Sequence, residues 1–459
     1  MNPLDQYTDL YRSQRDTIDA HAPEVLNALR PAAFKALERF ERFPRKGEEG
    51  YEKISVDTMF APDYGLNVAR VPFAVDVAAS FRCDVPNIST LLGVVVNDSF
   101  RPTATLERNL PEGLEVMSLA RAAEVHPGLV ASYLNRLAAN STPQSALNTL
   151  LLQDGVFIRA ARGVRPEKAV QIVNIFNSAS PLMAVRRVLI VAEEDSALRV
   201  LFCDHSQSRE ISYLSSQVVE VFAGEGASVE LYDIEESSAS TSRMSEVYLR
   251  QEVGSDVRVN STSLYSGQTR NSYSIDIVGD RAHTDLSGIV IGSEEQTIDN
   301  AVELRHHSCR STSRQLFKYA LFDKAQGAFG GKIIVDEGAM FTDASQNNRN
   351  LIASADARMH TEPQLEIYCD EVKCSHGATT GQLDAAALFY MRTRGIPEAE
   401  ARMMLVQAFM VDVINGISLD ALRDRMRMLV EKRLCGTSAA CSSCSASACR
   451  HDQETFPHE

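Results

Sequence analysis

The chain contains no tryptophan, and aromatic residues make up only 7% of its 459 positions. Because tryptophan stacks well on sugar rings, its absence counts against a carbohydrate-degrading enzyme. Long apolar runs are also missing, since the longest candidate, residues 403–414, is shorter than the ~18 residues of a membrane-spanning helix and contains Gln407 and Asp412. The first residues lack a basic segment followed by an apolar one, so we expect no signal peptide and a cytoplasmic location.

Basic residues are outnumbered: 46 lysines and arginines against 61 acidic residues give a formal net charge of −15. Such a chain is a poor general binder of nucleic acid or of an anionic membrane, and we expect it to bind neither.

Several enzyme motifs are missing as well. The glycine-rich residues 327–332 are followed by Ile333, where a nucleotide-binding P-loop needs serine or threonine. Neither a Gly-x-Ser-x-Gly nor a His-Glu-x-x-His motif occurs.

The periodicity of apolar residues changes along the chain. Through about residue 45 they recur at spacings of three and four, and region 1–150 is predicted to be mixed and largely helical. From about residue 155, short apolar or alternating runs are separated by turn residues, which predicts a mainly β domain over residues 151–383. Periodicity alone leaves a sandwich, a barrel and a β-solenoid open, because the strand spacing follows no fixed repeat.

Helical periodicity returns at the end of this β region. Asp384 is a predicted N-cap and Gly395 a predicted C-terminal glycine of one helix. The next helix places Leu405 and Phe409 four residues apart, on one face. We therefore predict a C-terminal helical domain over residues 384–434.

The nine cysteines are an odd number and are unevenly spaced, unlike a disulfide framework. Four lie in residues 435–459, which are rich in serine and alanine and are predicted to be a disordered tail. Within it, Cys441, Cys444 and Cys449 include one Cys-x2-Cys pair, a spacing found in metal sites. Strong zinc motifs contain two such pairs, so a solvated tail without metal is the more common case. One function that these thiols leave open is that of a metal-storage protein.

The most informative segment, residues 372–384, reads Val-Lys-Cys-Ser-His-Gly-Ala-Thr-Thr-Gly-Gln-Leu-Asp. Residues i and i+2 of a strand project to the same face, so Cys374 and His376 point together, as two ligands of one iron or zinc ion would. From the residues alone, the more common outcome is a buried cysteine and a hydrogen-bonded histidine without a metal.

The adjacent His306 and His307 face opposite sides of a strand and cannot readily share a metal, so we expect a role at a corner or an interface.

Together with residues 388–396, Leu-Phe-Tyr-Met-Arg-Thr-Arg-Gly-Ile, this segment closely resembles the SufD family. SufD is a scaffold subunit of the SUF machine for iron–sulfur cluster assembly. In the paralogue SufB a carboxylate follows the motif histidine and a cysteine lies on an upstream strand. Here Gly377 follows His376, and residues 346–353 contain no cysteine, so the sequence fits SufD better.

The resemblance implies a right-handed parallel β-helix with flanking N-terminal and C-terminal helical regions. It implies a non-catalytic chain that pairs with SufB through the β-helix and binds the SufC ATPase through residues 384–434, with a homodimer as the alternative assembly without SufB. His376, with Cys374, would help hold iron or the nascent cluster at the SufB–SufD interface. No permanently bound cofactor is implied, and flavin binding by the complex stays open. The residues expected to contact SufC are Phe389, Tyr390, Arg394, Leu405 and Phe409.

A different class of function is the runner-up. Parallel β-helices also host carbohydrate-active enzymes such as lyases, since a fold does not determine a function. The missing tryptophan and the lack of a recognisable acid/base pair count against such an enzyme.

Overall fold

The computed structural model describes residues 2–73 and 89–437. The helices in these segments are α1 (Pro3–Ala20), α2 (Glu24–Asn27), α3 (Arg30–Leu37), α4 (Val56–Phe60), α5 (Ala104–Asn109), α6 (Leu119–Val125), α7 (Pro127–Tyr133), α8 (Pro143–Leu151), α9 (Ala385–Thr393), α10 (Glu398–Asn415) and α11 (Asp420–Thr437). The strands are β1 (Leu91–Val96), β2 (Ser99–Pro102), β3 (Leu114–Ser118), β4 (Val156–Ala160), β5 (Val170–Phe176), β6 (Leu182–Ala192), β7 (Ala197–Ser206), β8 (Tyr213–Ala223), β9 (Ser228–Glu235), β10 (Thr241–Gln251), β11 (Asp256–Ser263), β12 (Gln268–Ile277), β13 (His283–Gly292), β14 (Thr297–His306), β15 (Thr312–Leu321), β16 (Gln326–Val335), β17 (Asp343–Ile352), β18 (Arg358–Ile367) and β19 (Lys373–Gly381).

The strands form a parallel solenoid. From β4 onwards the chain adds one strand to each of two sheets in turn, so that odd-numbered strands build a ten-stranded sheet and even-numbered strands a nine-stranded sheet. Antiparallel pairs β1–β2 and β3–β4 stand at the start of the two sheets. The solenoid has about 8 turns, which confirms the predicted parallel β-helix.

The space between the sheets is filled by one apolar cluster that extends along most of the solenoid. Successive coils stack similar side chains on one another; the rings of Phe317 and Phe329, for example, have centroids 4.9 Å apart. Charged groups are buried as well and are paired, as burial requires. Arg243 is an example, since it lies between the carboxylates of Asp204 and Asp233.

The N-terminal helices cover the outer face of the nine-stranded sheet. All residues of α8 are buried, and this helix shares an apolar cluster with Met183, Leu214 and Met244 of β6, β8 and β10. The loop before α4 extends this cover along the sheet, because the guanidinium of Arg270 on β12 lies 4.5 Å from the ring centroid of Tyr51.

The C-terminal helices cover the opposite, ten-stranded sheet. Val406, Met410 and Val413 of α10 are buried in a cluster with residues of β7, β9, β13, β15 and β17. A buried lysine fixes the helix, since Lys318 Nζ donates to the carbonyl oxygen of Phe409 and to Asp412 Oδ2, each at 2.6 Å. Helices thus cover both sheets and leave the last coil of the solenoid as the open end. None of the described helices is long and apolar enough to cross a membrane.

Candidate functional site

The last strands, β18 and β19, form the open end of the solenoid. Each lies at the edge of its sheet and pairs with the preceding coil only, β18 with β16 and β19 with β17, within the part of the chain that the structure describes. Neither strand contains a buried residue. An edge of this kind presents unpaired backbone N–H and C=O groups to another chain.

Cys374 and His376 lie on β19, on the face that continues the interior of the solenoid. Their register partners on β17 are Ala344 and Gln346, and both partners are buried. Strand alternation therefore directs the thiol and the imidazole to the same side, as predicted. Cys374 is half-buried, whereas His376 is exposed at the open end.

The thiol of Cys374 packs into a small apolar cluster with Ile333, Val335 and Ala344. Burial raises the pKa of Cys374, so the thiol stays protonated at neutral pH. A metal ion must displace that proton to bind the sulfur. Cys369 belongs to the same cluster and also carries a free thiol. Cys369 lies five residues before Cys374, across the turn between β18 and β19, and this short separation is the sequence signal that links the two thiols.

Several buried polar atoms near this end have no hydrogen-bond partner among the described residues, and two of them lie on the interior side. Gln346 donates from Nε2 to Gln315 Oε1 at 2.8 Å, while its own Oε1 is buried and unpaired. Thr361 Oγ1 on β18 is also buried and has no hydrogen-bond partner. Buried unsatisfied groups are rare in folded proteins and mark places where a missing partner belongs.

Cys374 and His376 do not make a complete metal site. Structural zinc and most iron sites take four ligands, and the three-ligand group found among the described residues lies elsewhere, at Glu52, His360 and Glu362. Cys374 and His376 are therefore two potential ligands at an exposed edge, fewer than such a site needs.

The histidine pair at 306–307 is structural, in line with its prediction. His306 is buried, and its two ring nitrogens lie 2.7 and 2.9 Å from the hydroxyls of Ser311 and Ser313. Burial lowers the pKa of His306 to about 4, so the ring is neutral. His307 faces outward between the carboxylates of Asp276 and Asp336.

The residues predicted to contact SufC fall into two groups. Phe389 and Tyr390 are exposed on α9, a helix without buried residues, and Arg394 stacks on the Tyr390 ring. On α10 the buried stripe is offset from the predicted one, since Val406 and Met410 are buried while Leu405 and Phe409 are half-buried at its margin. Phe409 packs against the sheet and lies 5.0 Å from Lys318 Nζ. The tail, with Cys441, Cys444 and Cys449, lies outside the described residues.

Comparison with known families agrees with this arrangement. Residues 174–409 match the model of the SUF system FeS cluster assembly SufBD core domain, and residues 1–172 match that of the SufBD protein N-terminal region. The chain belongs to the SufBD family. The core match ends inside α10, so it includes the open end with Cys374 and His376.

Relatives in three bacteria support the same assignment. An iron–sulfur cluster assembly SufBD family protein of Synechocystis is 27% identical over 402 residues, 85% of this chain and 88% of the relative. The assembly protein SufD of Escherichia coli is 34% identical over 167 residues, 36% of this chain and 40% of the relative. SufD of Bacillus subtilis is 26% identical over 326 residues, 70% and 74% of the two chains. The resemblance to SufD is thereby confirmed, and with it a SufD-like role in SUF iron–sulfur cluster assembly.

Proposed function

We propose that the chain is a non-catalytic scaffold subunit of the SUF machinery. It pairs with SufB through the open end of the solenoid and binds the SufC ATPase through its C-terminal helices. Iron or a nascent cluster is the cargo, held in part by His376 and Cys374. The observation that carries the proposal is the position of these two residues on an edge strand without a second partner in the described structure.

The open end is suited to pairing with another β-helix. Parallel sheets in proteins are normally covered at every face, and an exposed edge invites strand addition from a partner. Apolar side chains add to this surface, because Ile367 and Tyr368 at the end of β18 are 43% and 62% exposed. Met340 and Phe341, in the turn before β17, are exposed as well. We call these four residues the apolar corner.

The chemistry of β19 suits cargo that is held and then released. A neutral imidazole and a thiolate are ligands that iron accepts. The raised pKa of Cys374 disfavours the free thiolate, so the sulfur binds metal only when the ion replaces the proton. Two ligands on one subunit and the remainder on another make the site dependent on assembly, which fits a cluster that is built and passed on.

The SufC proposal depends on the exposed side of the C-terminal helices. Large apolar side chains there are solvent-exposed in all three helices: Phe389, Tyr390, Met404, Val411 and Met428. Exposed apolar groups in this number mark an interaction surface. On α10, Met404 and Val411 lie outside the buried stripe of Val406, Met410 and Val413.

Co-expression of the tagged chain with SufB and SufC tests the proposal. The chain is expected to capture both proteins, and Tyr368→Lys is expected to lose SufB while it keeps SufC. Val125→Lys is the matched control, because Val125 is a 39% exposed apolar residue on α6, outside the open end. A chain that captures neither protein, or a Tyr368→Lys variant that keeps SufB at the wild-type level, contradicts the proposed interface.

A further inference from the structure

Glu52, His360 and Glu362 form a group that the proposed function does not use. One ligand atom from each lies within 4.8 Å of the other two. His360 and Glu362 stand two apart on β18, so they share its outer face, opposite to the solenoid interior. Glu52 comes from the N-terminal loop that reaches along this sheet, where Tyr51 is held against Arg270.

The three side chains are oriented as ligands rather than as a saturated ion-pair network. Glu52 Oε1 accepts from the Gly50 N–H at 2.8 Å, and Glu362 Oε1 accepts from Gln364 Nε2 at 3.0 Å. Each carboxylate therefore keeps a second oxygen for another partner. His360 Nε2 is buried, lies 3.6 Å from Glu362 Oε2, and makes no hydrogen bond within the described chain. By contrast, both ring nitrogens of His307 lie within 2.8 Å of a carboxylate oxygen.

Space and charge at this position favour a cation. The register neighbours of His360 and Glu362 on β16 are Ala328 and Gly330, which carry almost no side chain. A Cβ added to Gly330 would meet nothing within 4 Å, so the outer face is open at the register neighbour of Glu362. The next residue in the His360 row, Asp299, already pairs with Arg270 at 2.6 Å. The Asp299–Arg270 charges cancel, and Glu52 and Glu362 add two carboxylates that this pair does not neutralise.

We propose that Glu52, His360 and Glu362 bind a divalent transition-metal ion. One imidazole and two carboxylates suit Mn²⁺, Fe²⁺ or Zn²⁺, with water in the remaining positions. The hydrogen bonds from Gly50 and Gln364 supply the support that orients metal ligands. The bound ion joins the N-terminal loop to the edge strand β18 and does not depend on the cargo role of His376.

Binding of Mn²⁺ to the full-length chain tests the site. Mn²⁺ is chosen because it prefers carboxylate and imidazole over thiolate, which keeps it away from Cys374 and the C-terminal cysteines. Loss of the free Mn²⁺ electron paramagnetic resonance signal should show about one tightly bound equivalent. Glu52→Gln and His360→Gln should each weaken binding by about ten-fold or more, because each removes a direct ligand. The matched control is His283→Gln, since His283 and Asp285 repeat the two-apart His–carboxylate spacing on β13 at 3.3 Å but belong to no three-ligand group among the described residues.

A second readout identifies the histidine. Electron spin-echo modulation of the bound Mn²⁺ should show coupling to one imidazole nitrogen that persists in His376→Ala and disappears in His360→Gln. The site is refuted if the wild-type chain binds no stoichiometric Mn²⁺, if the wild-type ion shows no nitrogen coupling, or if Glu52→Gln and His360→Gln bind like the wild type. If His360→Gln fails to fold, Mn²⁺ binding by Glu52→Gln and the nitrogen coupling in the wild-type spectrum still decide whether the site exists.

Discussion

Cys374 and His376 share a face of β19 but differ in their surroundings, and their variants should differ accordingly. We predict that His376→Ala keeps the fold and the pairing with SufB but lowers cluster maturation in cells by about ten-fold, because alanine cannot bind iron. The exposed ring of His376 makes few contacts that folding needs. Cys374→Ser should be milder, since the hydroxyl keeps most of the volume of the thiol.

The measurement is the activity of an iron–sulfur enzyme in cells that depend on this chain. His283→Ala, which removes another partly exposed strand histidine, serves as the control. Normal activity in His376→Ala would rule out the metal role, and a larger defect in Cys374→Ser would reverse the order of importance.

Glu246 links stability to pH. This glutamate of β10 is buried beneath Thr142, whose hydroxyl lies 2.9 Å from Glu246 Oε1, and burial raises its pKa from 4.5 to about 7. The folded state therefore retains a proton that the unfolded state loses above pH 4.5. This contribution to folding stability is therefore present below about pH 4.5 and is lost as pH rises through 7.

We predict that Glu246→Gln, which stays neutral, removes this loss. Between pH 5 and pH 8 the free energy of unfolding of the wild type should fall by about 2–3 kcal/mol relative to the variant. Urea unfolding of both proteins at the two pH values provides the measurement. The exposed Glu303→Gln should follow the wild type, and parallel pH curves for Glu246→Gln and the wild type would contradict the assignment.

Among the elements, α9 and α10 present aromatic residues in opposite situations. Phe389 is 69% exposed, whereas Phe409 packs on the sheet beside Lys318. We predict that Phe389→Asp folds normally, keeps SufB and loses SufC. Phe409→Asp should instead lower the free energy of unfolding by several kcal/mol, because it places a carboxylate in a largely apolar contact.

Pull-down of SufC and thermal melting of both variants check this contrast. Thr393→Asp is the control for charge on α9, since Thr393 is an exposed residue of the same helix. If Phe389→Asp retains SufC, the docking surface lies elsewhere on these helices. If Phe409→Asp melts like the wild type, the packing of α10 on the sheet is less important than its contacts indicate.

Sequence signals predicted the ends of helix α9 correctly, because the contacts that begin and end this helix are local. The side chain of Asp384 caps α9 by accepting hydrogen bonds from the N–H groups of Ala386 and Ala387 at 2.8 and 3.2 Å, and Gly395 ends it with φ of +85°. The solenoid itself was not readable from a repeat. Register partners lie 26 residues apart at Ser242 and Gln268 but 32 apart at Gln326 and Arg358, because turns of different length join strands of constant pitch. Only the family resemblance distinguished a solenoid from a sandwich.

Sites that combine distant segments could not be predicted from the sequence. The spacing of Cys374 and His376 within one strand predicted their shared face, since strand alternation is a local property. Glu52 and His360 are about 300 positions apart in sequence and meet only because the N-terminal loop crosses the sheet. The offset of the buried stripe on α10 has a similar cause, as the Lys318 contact with Phe409 and Asp412 sets the rotation of the helix.

For the whole molecule, the decisive property is that helices cover both sheets while the last coil stays uncovered. Unpaired strand edges and the apolar corner then lie together at one end. Without SufB, a second copy of the chain offers a complementary edge of the same kind. We predict that the purified chain forms a homodimer through this end and that Ile367→Lys, which places charges in the corner, makes it monomeric.

Sedimentation velocity over a range of protein concentrations measures this equilibrium. The control Val125→Lys should sediment like the wild type, because it adds the same charge outside the open end. Addition of SufB should convert the homodimer into a heterodimer, since the proposal assigns both contacts to the same open end. A wild-type chain that is monomeric at all concentrations would remove the homodimer but leave the SufB interface standing. An Ile367→Lys variant that still dimerises and also binds SufB would place both contacts away from the open end, and β19 would then have no partner to complete its half of a metal site.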